Sequence, residues 1–374
     1  MDDKNKNSKR LPCIPLWCAI LFAVAFAAFC IETLSRRTPA LADFISDTSG
    51  TVIRFCLTNL TNPVPFSVAE TVIICSPIIV GLIVWMIVRA GKKSIRHLIR
   101  ASASVLAVAS LFYSTFIFGY GTGYYGTTVE KKLNMVQTGV SAEELYKTGA
   151  RLLECASNEL ENVNFPEKTY SSMTFSYSDM NKKLNAAWDT VCDKYGHFQR
   201  LHSNTKQVML SEPWSYTHIS GLYSFPSGEA NVNVNYPDFI IVTSAAHEMA
   251  HQRGICLEAE ANFLSFLVCV NSDDPYIRYS GYVDMYREVR NKLADADMEL
   301  YNKLVSQVPD EIARELNAFA VKFEKYSSSP AGTISDTIND TYLEFHGQEQ
   351  GIKSYGLVVD LLCSYMLNGE GAKK

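Results

Sequence analysis

The stretch AAHEMAHQRGICLEAEANFLSF, residues 245 to 266, carries two histidines four apart, with a glutamate directly after the first. On a helix a four-residue step returns a side chain to the same face, so His247 and His251 can reach one ion together. Glu248 stands beside that face, where a carboxylate can take a proton from water. This is the HExxH arrangement, in which the imidazoles bind zinc and the glutamate serves as general base. A lone histidine on an apolar face is usually a satisfied core residue or a surface group. Two at this spacing, followed by a glycine and then by acids, are not explained that way.

The surrounding residues supply the context such a short pattern needs. The preceding run FIIVTSAA is apolar and then small, as suits a helix buried beneath a cleft. Gly254 lets the chain turn after the second histidine. The segment LEAEANFLSFLVCV can then run back as a second helix and present an acid as third ligand, a known zinc set that leaves one position for water. Glu258 and Glu260 are two apart and so point to different faces. Phe263, Leu264, Leu267 and Val268 define the apolar side, and Glu260 lies three and four residues before the first two of these, near that side. Glu260 is therefore the expected ligand, and Glu258 is expected to hold a histidine ring N–H or to face solvent.

Other polar residues are candidates for completing the site. Glu229 and Asn231, in the loop GEAN, either orient a peptide backbone or hold a structural turn. Tyr355 is a candidate donor to a developing oxyanion, with His346 as the alternative. Arg253 is expected to pair with Glu258 or with the C-terminal end of the histidine helix, a structural role.

The elements that must position these residues divide the chain in two, residues 1–120 and 121–374. Three apolar stretches occupy the first third, at about 11–31, 67–88 and 101–120. A spanning helix needs about 20 apolar residues, and three such stretches ahead of a domain of different composition point to a multi-pass membrane protein. The second stretch must accommodate Glu70 at its end. The first has a basic lead and a small-residue run, as a signal peptide does, but its apolar part is longer than a signal core and is read as an uncleaved anchor. Lys4, Lys6, Lys9 and Arg10 precede the first stretch, and Arg89, Lys92, Lys93, Arg96 and Arg100 crowd the link between the second and third. Both sets belong on the cytoplasmic side, which places the chain after Tyr120 outside the cytoplasm. Arg36 and Arg37 fall on the opposite side, where Asp43 and Asp47 lie nearby.

The outer part reads as mainly helical. Ser141 with Glu144 forms a capping box for a helix through about Glu161, and Ser178 is the expected cap of a helix ending at Gly196. Residues 211–235 read as loop or short strands, and helical patterns return over Tyr276–Val305, Asp310–Tyr326 and Ser354–Leu367. Net charge is -5, and no basic field points to nucleic acid. No CxxC pair supports cysteine-based metal chemistry. Cys155 and Cys192 are a candidate disulfide or two buried thiols.

The motifs GLYSFPSGEANVN from Gly221, HEMAHQRG from His247 and EANFLSF from Glu260 resemble those of the DUF3810 family, bacterial membrane proteins with an HExxH-containing domain. A later stretch, YLEFHGQEQGIKSYGLVVDLL from Tyr342, is also family-like, whereas GYGTGYYG matches only loosely the WG-and-NY pattern expected after the last span. More widely, HExxH followed by ExEAN is similar to gluzincin-type metallopeptidases, where the glutamate before Ala-Asn is the third ligand. That resemblance implies a zincin-like outer domain and maps its third ligand onto Glu260. The third-histidine position of the metzincin motif is occupied by Leu257, which argues against that ligand set.

The expected protein is therefore a zinc-dependent peptidase of the bacterial cell membrane. It would have three spans, a cytoplasmic N-terminus and a site acting on peptides or proteins outside the cytoplasm, with one catalytic zinc. The competing expectation is a non-catalytic zinc-binding membrane protein with a binding or sensing role, whose site a fourth protein ligand would close.

Overall fold

The three apolar stretches become the helices Leu16–Ser35, Val68–Lys93 and Ile95–Gly119 in the computed structural model, which describes residues 13–135, 139–166, 169–345 and 355–368. Each is long and apolar enough to cross a membrane. The second and third meet in a tight turn because the Ser94 side chain accepts the His97 N–H and starts the third helix at once. Arg89, Lys92, Lys93, Arg96 and Arg100 are thereby gathered at one end of this helical hairpin.

The chain between the first two spans is no simple loop. It folds into the short helices Pro39–Ile45 and Thr51–Thr61, joined by a π-helical turn. Arg54 lies buried there and donates to Gly119 O at 2.8 Å, Ser46 O at 2.9 Å and Gln199 Oε1 at 2.9 Å. Thr58 Oγ1 donates to Gly228 O at 3.0 Å, and Asp43 Oδ1 accepts the Thr127 N–H at 2.9 Å. The far end of the first span, the start of the second and the end of the third thus sit against one body formed by the rest of the chain.

Two acids fasten that body to the second span. Glu229, at the start of a strand, accepts the N–H groups of Val68 and Ala69 at 3.1 and 2.9 Å. Glu70, in the first turn of the span, accepts those of Met209 and Leu210 at 2.9 and 2.8 Å. Both carboxylates are buried, and backbone N–H groups take the place of water around them.

That body is mainly helical. The histidine helix Asp238–Gln252 packs against the acidic helix Glu258–Val270 and against Pro275–Ala296, with Phe239, Phe263, Phe266 and Tyr279 fully buried among them. The helices Ala142–Glu159, Tyr177–Tyr195 and Tyr355–Asn368 complete this core. A small sheet covers the histidine helix. Its strands β1 (Lys206–Gln207), β2 (Gly221–Ser224) and β3 (Glu229–Val232) lie in the order β1-β3-β2. β1 runs parallel to β3, β2 is antiparallel to it with Leu222 opposite Asn231, and β2 forms an edge.

Several elements differ from the sequence expectation. The Ser141–Glu144 capping box is present, but the next helix is capped by Ser176, whose side chain accepts the Asp179 N–H, rather than by Ser178. The pattern read over Tyr276–Val305 is cut at Asp297. Its carboxylate accepts the N–H groups of Glu299 and Leu300 and starts a separate helix, Met298–Val305. The helix Pro330–Phe345 was not anticipated. Cys155 and Cys192 are free thiols, so the candidate disulfide is not formed.

Gly254 shows how closely the halves are fitted. Its φ is +91°, a region that side chains other than glycine's rarely adopt, and a Cβ there would lie 2.7 Å from Arg54 Cζ. Gly254→Ala is expected to destabilise the fold by more than about 1 kcal/mol, read as a lowered thermal-unfolding midpoint of the full chain in detergent. An unchanged midpoint would show that the turn and Arg54 shift to admit the added methyl group without cost.

Candidate metal centre

The histidine helix brings its two imidazoles together as the four-residue spacing requires. The ring centroids of His247 and His251 are 4.6 Å apart, with planes at 86°. His251 Nδ1 lies 2.7 Å from Ile255 O, and because a carbonyl only accepts, that nitrogen carries the proton. The turn at Gly254 returns the chain so that this carbonyl meets the ring. Nε2 is thereby turned to Glu258 across the cleft, and giving up its proton to a metal would leave the tautomer that a ligand needs. Tyr120, the residue that follows the third span, places its hydroxyl 3.1 Å from the same Nδ1.

Glu258 opens the acidic helix and faces both rings. Its Oε2 is 3.3 Å from His247 Nε2 and its Oε1 is 3.4 Å from His251 Nε2. One donor atom from each of the three residues lies within 4.8 Å of the others, so His247, His251 and Glu258 can hold a metal ion.

Glu260, the expected third ligand, is placed elsewhere. Its Oε1 accepts the Val129 N–H at 2.8 Å and so fixes the chain shortly after it leaves the membrane. Two residues along a helix turn a side chain by about 200°, so only one of the pair can face the histidines. Glu260 is indeed on the buried side, as its spacing to Phe263 and Leu264 implied, but the buried side faces away from the imidazoles.

The electrostatics differ accordingly. Burial alone would keep Glu258 neutral, yet the neighbouring imidazoles of His251 and His247 hold its carboxyl far below the usual carboxylate range. For His251, burial opposes the charge, but Glu258 outweighs it and pushes the ring up to about 9. Burial pushes Glu260, which has no such partner, up to about 7. Protons and a carboxylate thus share a space where a divalent cation would take the place of the protons.

Glu248 is 4% exposed and lies beside the backbone of Tyr223 in strand β2, which draws its carboxyl down slightly. Its Oε2 is buried without a hydrogen-bond partner among the described residues, as is His247 Nδ1. Burial raises the carboxyl of Glu248 above its ordinary range, against the pull of the two histidines. Gly221 leaves room for this side chain, since a Cβ there would lie 2.5 Å from Glu248 Oε1. Two imidazole nitrogens and a carboxylate, with an unpartnered buried carboxyl oxygen beside them, fit a transition metal of the zinc type.

The remaining candidates divide. Glu229 holds the start of the second span, and Asn231 donates to Leu222 O at 3.0 Å and Glu229 O at 3.2 Å, so both are engaged within the fold. Arg253 donates to Met249 O at 3.0 Å and to Leu201 O, and stacks over Trp188, at the end of the histidine helix rather than on Glu258. Tyr355 begins a helix, but its side chain lies outside the described residues, as does His346.

The centre lines a cleft of about 1120 Å³ that continues along β2 to Phe112, Tyr113 and Phe116 of the third span. Sequence reasoning missed Tyr120 and Gly221. Each acts through a partner more than twenty residues away, and no local spacing signals such a contact. Comparison with curated proteins and with solved structures finds no match. The model of one family, described as protein of unknown function (DUF3810), matches residues 49–363. The match takes in the buried Arg54, the second and third spans and every residue of the metal centre, and the chain belongs to the DUF3810 family.

Proposed function

We propose that the protein is a membrane-anchored, zinc-dependent peptidase with a zincin-like centre outside the cytoplasm. The observation that carries this reading is the convergence of His247, His251 and Glu258 in an open cleft beside the buried Glu248, whose Oε2 has no hydrogen-bond partner among the described residues. Zinc held by those three residues would supply Lewis acidity toward a peptide carbonyl and toward water. Glu248 would take the proton as water attacks and pass it to the leaving amine. Its burial suits both acts, because a raised carboxyl holds a proton more readily. Ile255 O and Tyr120 would hold His251 in the ligating tautomer. The orientation is supported by the five basic residues at the turn of the helical hairpin, which resist translocation.

The test uses the full-length protein. Metal analysis by mass spectrometry should find about one zinc per chain. A peptide library should be cleaved, cleavage should stop on chelation, and added zinc should restore it. Bound zinc with no cleavage of any library member would instead favour the non-catalytic reading. A single cysteine at the exposed position Glu324, in a cysteine-free background, should react with an impermeant reagent on intact cells. Labelling only after lysis would reverse the orientation.

A further inference from the structure

The cleft does not end in the mainly helical body; one wall of it is the third spanning helix itself. The level of the membrane boundary can be read from the side chains around Glu32. Near the end of the first span, Glu32 pairs with Arg36 at 2.8 Å and accepts the hydroxyls of Tyr113 at 2.9 Å and Tyr125 at 3.4 Å. An ion pair ringed by tyrosines belongs where hydrocarbon gives way to water. Phe112, beside Tyr113, lies at that same level, is 50% exposed and lines the cleft.

The metal centre is close above. Tyr120 follows Tyr113 by seven residues, about 10 Å along a helix, and its hydroxyl touches His251. Between the two levels the wall is apolar. Phe116 meets Phe225 edge-on at 5.0 Å, and Leu222 is partly exposed nearby. A strip of this kind, continuous with a lipid-facing helix, gives an apolar chain a path from the bilayer to the histidines without crossing water.

The other wall says what kind of chain. Strand β2 is a sheet edge, and its backbone alternates in direction. Ser220 O accepts the Asn233 N–H in line with the β2–β3 register, which turns the backbone of Gly221 and Tyr223 away from β3. Gly221 and Tyr223 both line the cleft, with Gly221 directly against the Glu248 carboxylate. An edge backbone of this sort pairs with an extended polypeptide, which a lipid cannot imitate.

We infer that the substrate is a polypeptide delivered from the bilayer: the first extended residues of a membrane-anchored chain, entering along Phe112 and Phe116 and lying against β2. At about 3.3 Å per extended residue, the bond presented to Glu248 lies some three to six residues from the lipid boundary. This rests on the peptidase reading and adds the class of substrate to it.

The experiment reconstitutes the full-length protein, and its Glu248→Gln variant, in liposomes. One probe is a synthetic peptide library with a single apolar span followed by randomised residues and a tag. The second is the same randomised residues as soluble tagged peptides, and the third carries a Gly-Ser spacer of about ten residues after the span, extended by roughly 30 Å. The expected result is Glu248-dependent cleavage at least tenfold faster for the first probe than for the second, with cuts within about six residues of the span. In the spacer probe the randomised residues should escape cleavage. Equal rates on anchored and soluble probes, or cutting of the randomised residues beyond the spacer, would overturn the inference and leave the peptidase reading intact. Absence of Glu248-dependent cleavage of all three would remove that reading and this inference with it.

Discussion

Glu248→Gln should leave the metal in place and lower peptide hydrolysis by at least about a hundredfold, the scale of losing a positioned general base. The substitution is nearly isosteric, so the buried side chain keeps its place against Gly221. It cannot take a proton from water, and the two carboxylates of the neighbouring acidic helix are otherwise engaged. Glu258 is engaged with both histidines, and Glu260 is turned to Val129. Metal content, thermal unfolding and library cleavage should be measured on the same preparations. Unchanged cleavage by the variant, with contaminating proteases excluded, would remove Glu248 from the chemistry. Loss of metal would show that Glu248 is itself a ligand.

What the sequence revealed and what it concealed follows from the range of each interaction. The HExxH face, the turn at Gly254, the Ser141–Glu144 capping box and the three apolar helices depend on residues a few positions apart, and periodicity exposes such features. The roles of Glu229, Glu70 and Arg54 depend on partners between roughly 65 and 160 positions distant. Their residue types are equally at home in a binding loop, a span end or a surface helix. That is why Glu229 could be read as a peptide-orienting residue when it anchors a membrane helix. The segment between the first two spans failed for the same reason: its short helices are held by contacts to Gly119, Gln199 and Gly228 rather than by patterning of their own.

The choice between Glu258 and Glu260 is the sharpest such case, and it has the second large effect. Glu258→Ala should lower metal affinity by more than about a hundredfold, beyond what loss of an outer hydrogen bond to a ligand causes. Glu260→Gln should keep the metal, because its amide oxygen can still accept the Val129 N–H. The buried face of the acidic helix is legible in the sequence, but buried is not the same as metal-facing. The histidine helix, however, packs across the first turn of the acidic helix, where Glu258 sits partly exposed at the N-terminus. That end of a helix favours a carboxylate, through its free N–H groups and its dipole. Glu260, turned by about 200°, meets the chain leaving the membrane instead. Mass-spectrometric metal analysis of the two variants, with Glu260→Ala added, separates the roles. Glu260→Ala is expected to lower the unfolding midpoint while metal per folded chain stays unchanged. Retention of metal in Glu258→Ala together with its loss in Glu260→Gln would restore Glu260 as the ligand and require the acidic helix to be rotated from the position seen here.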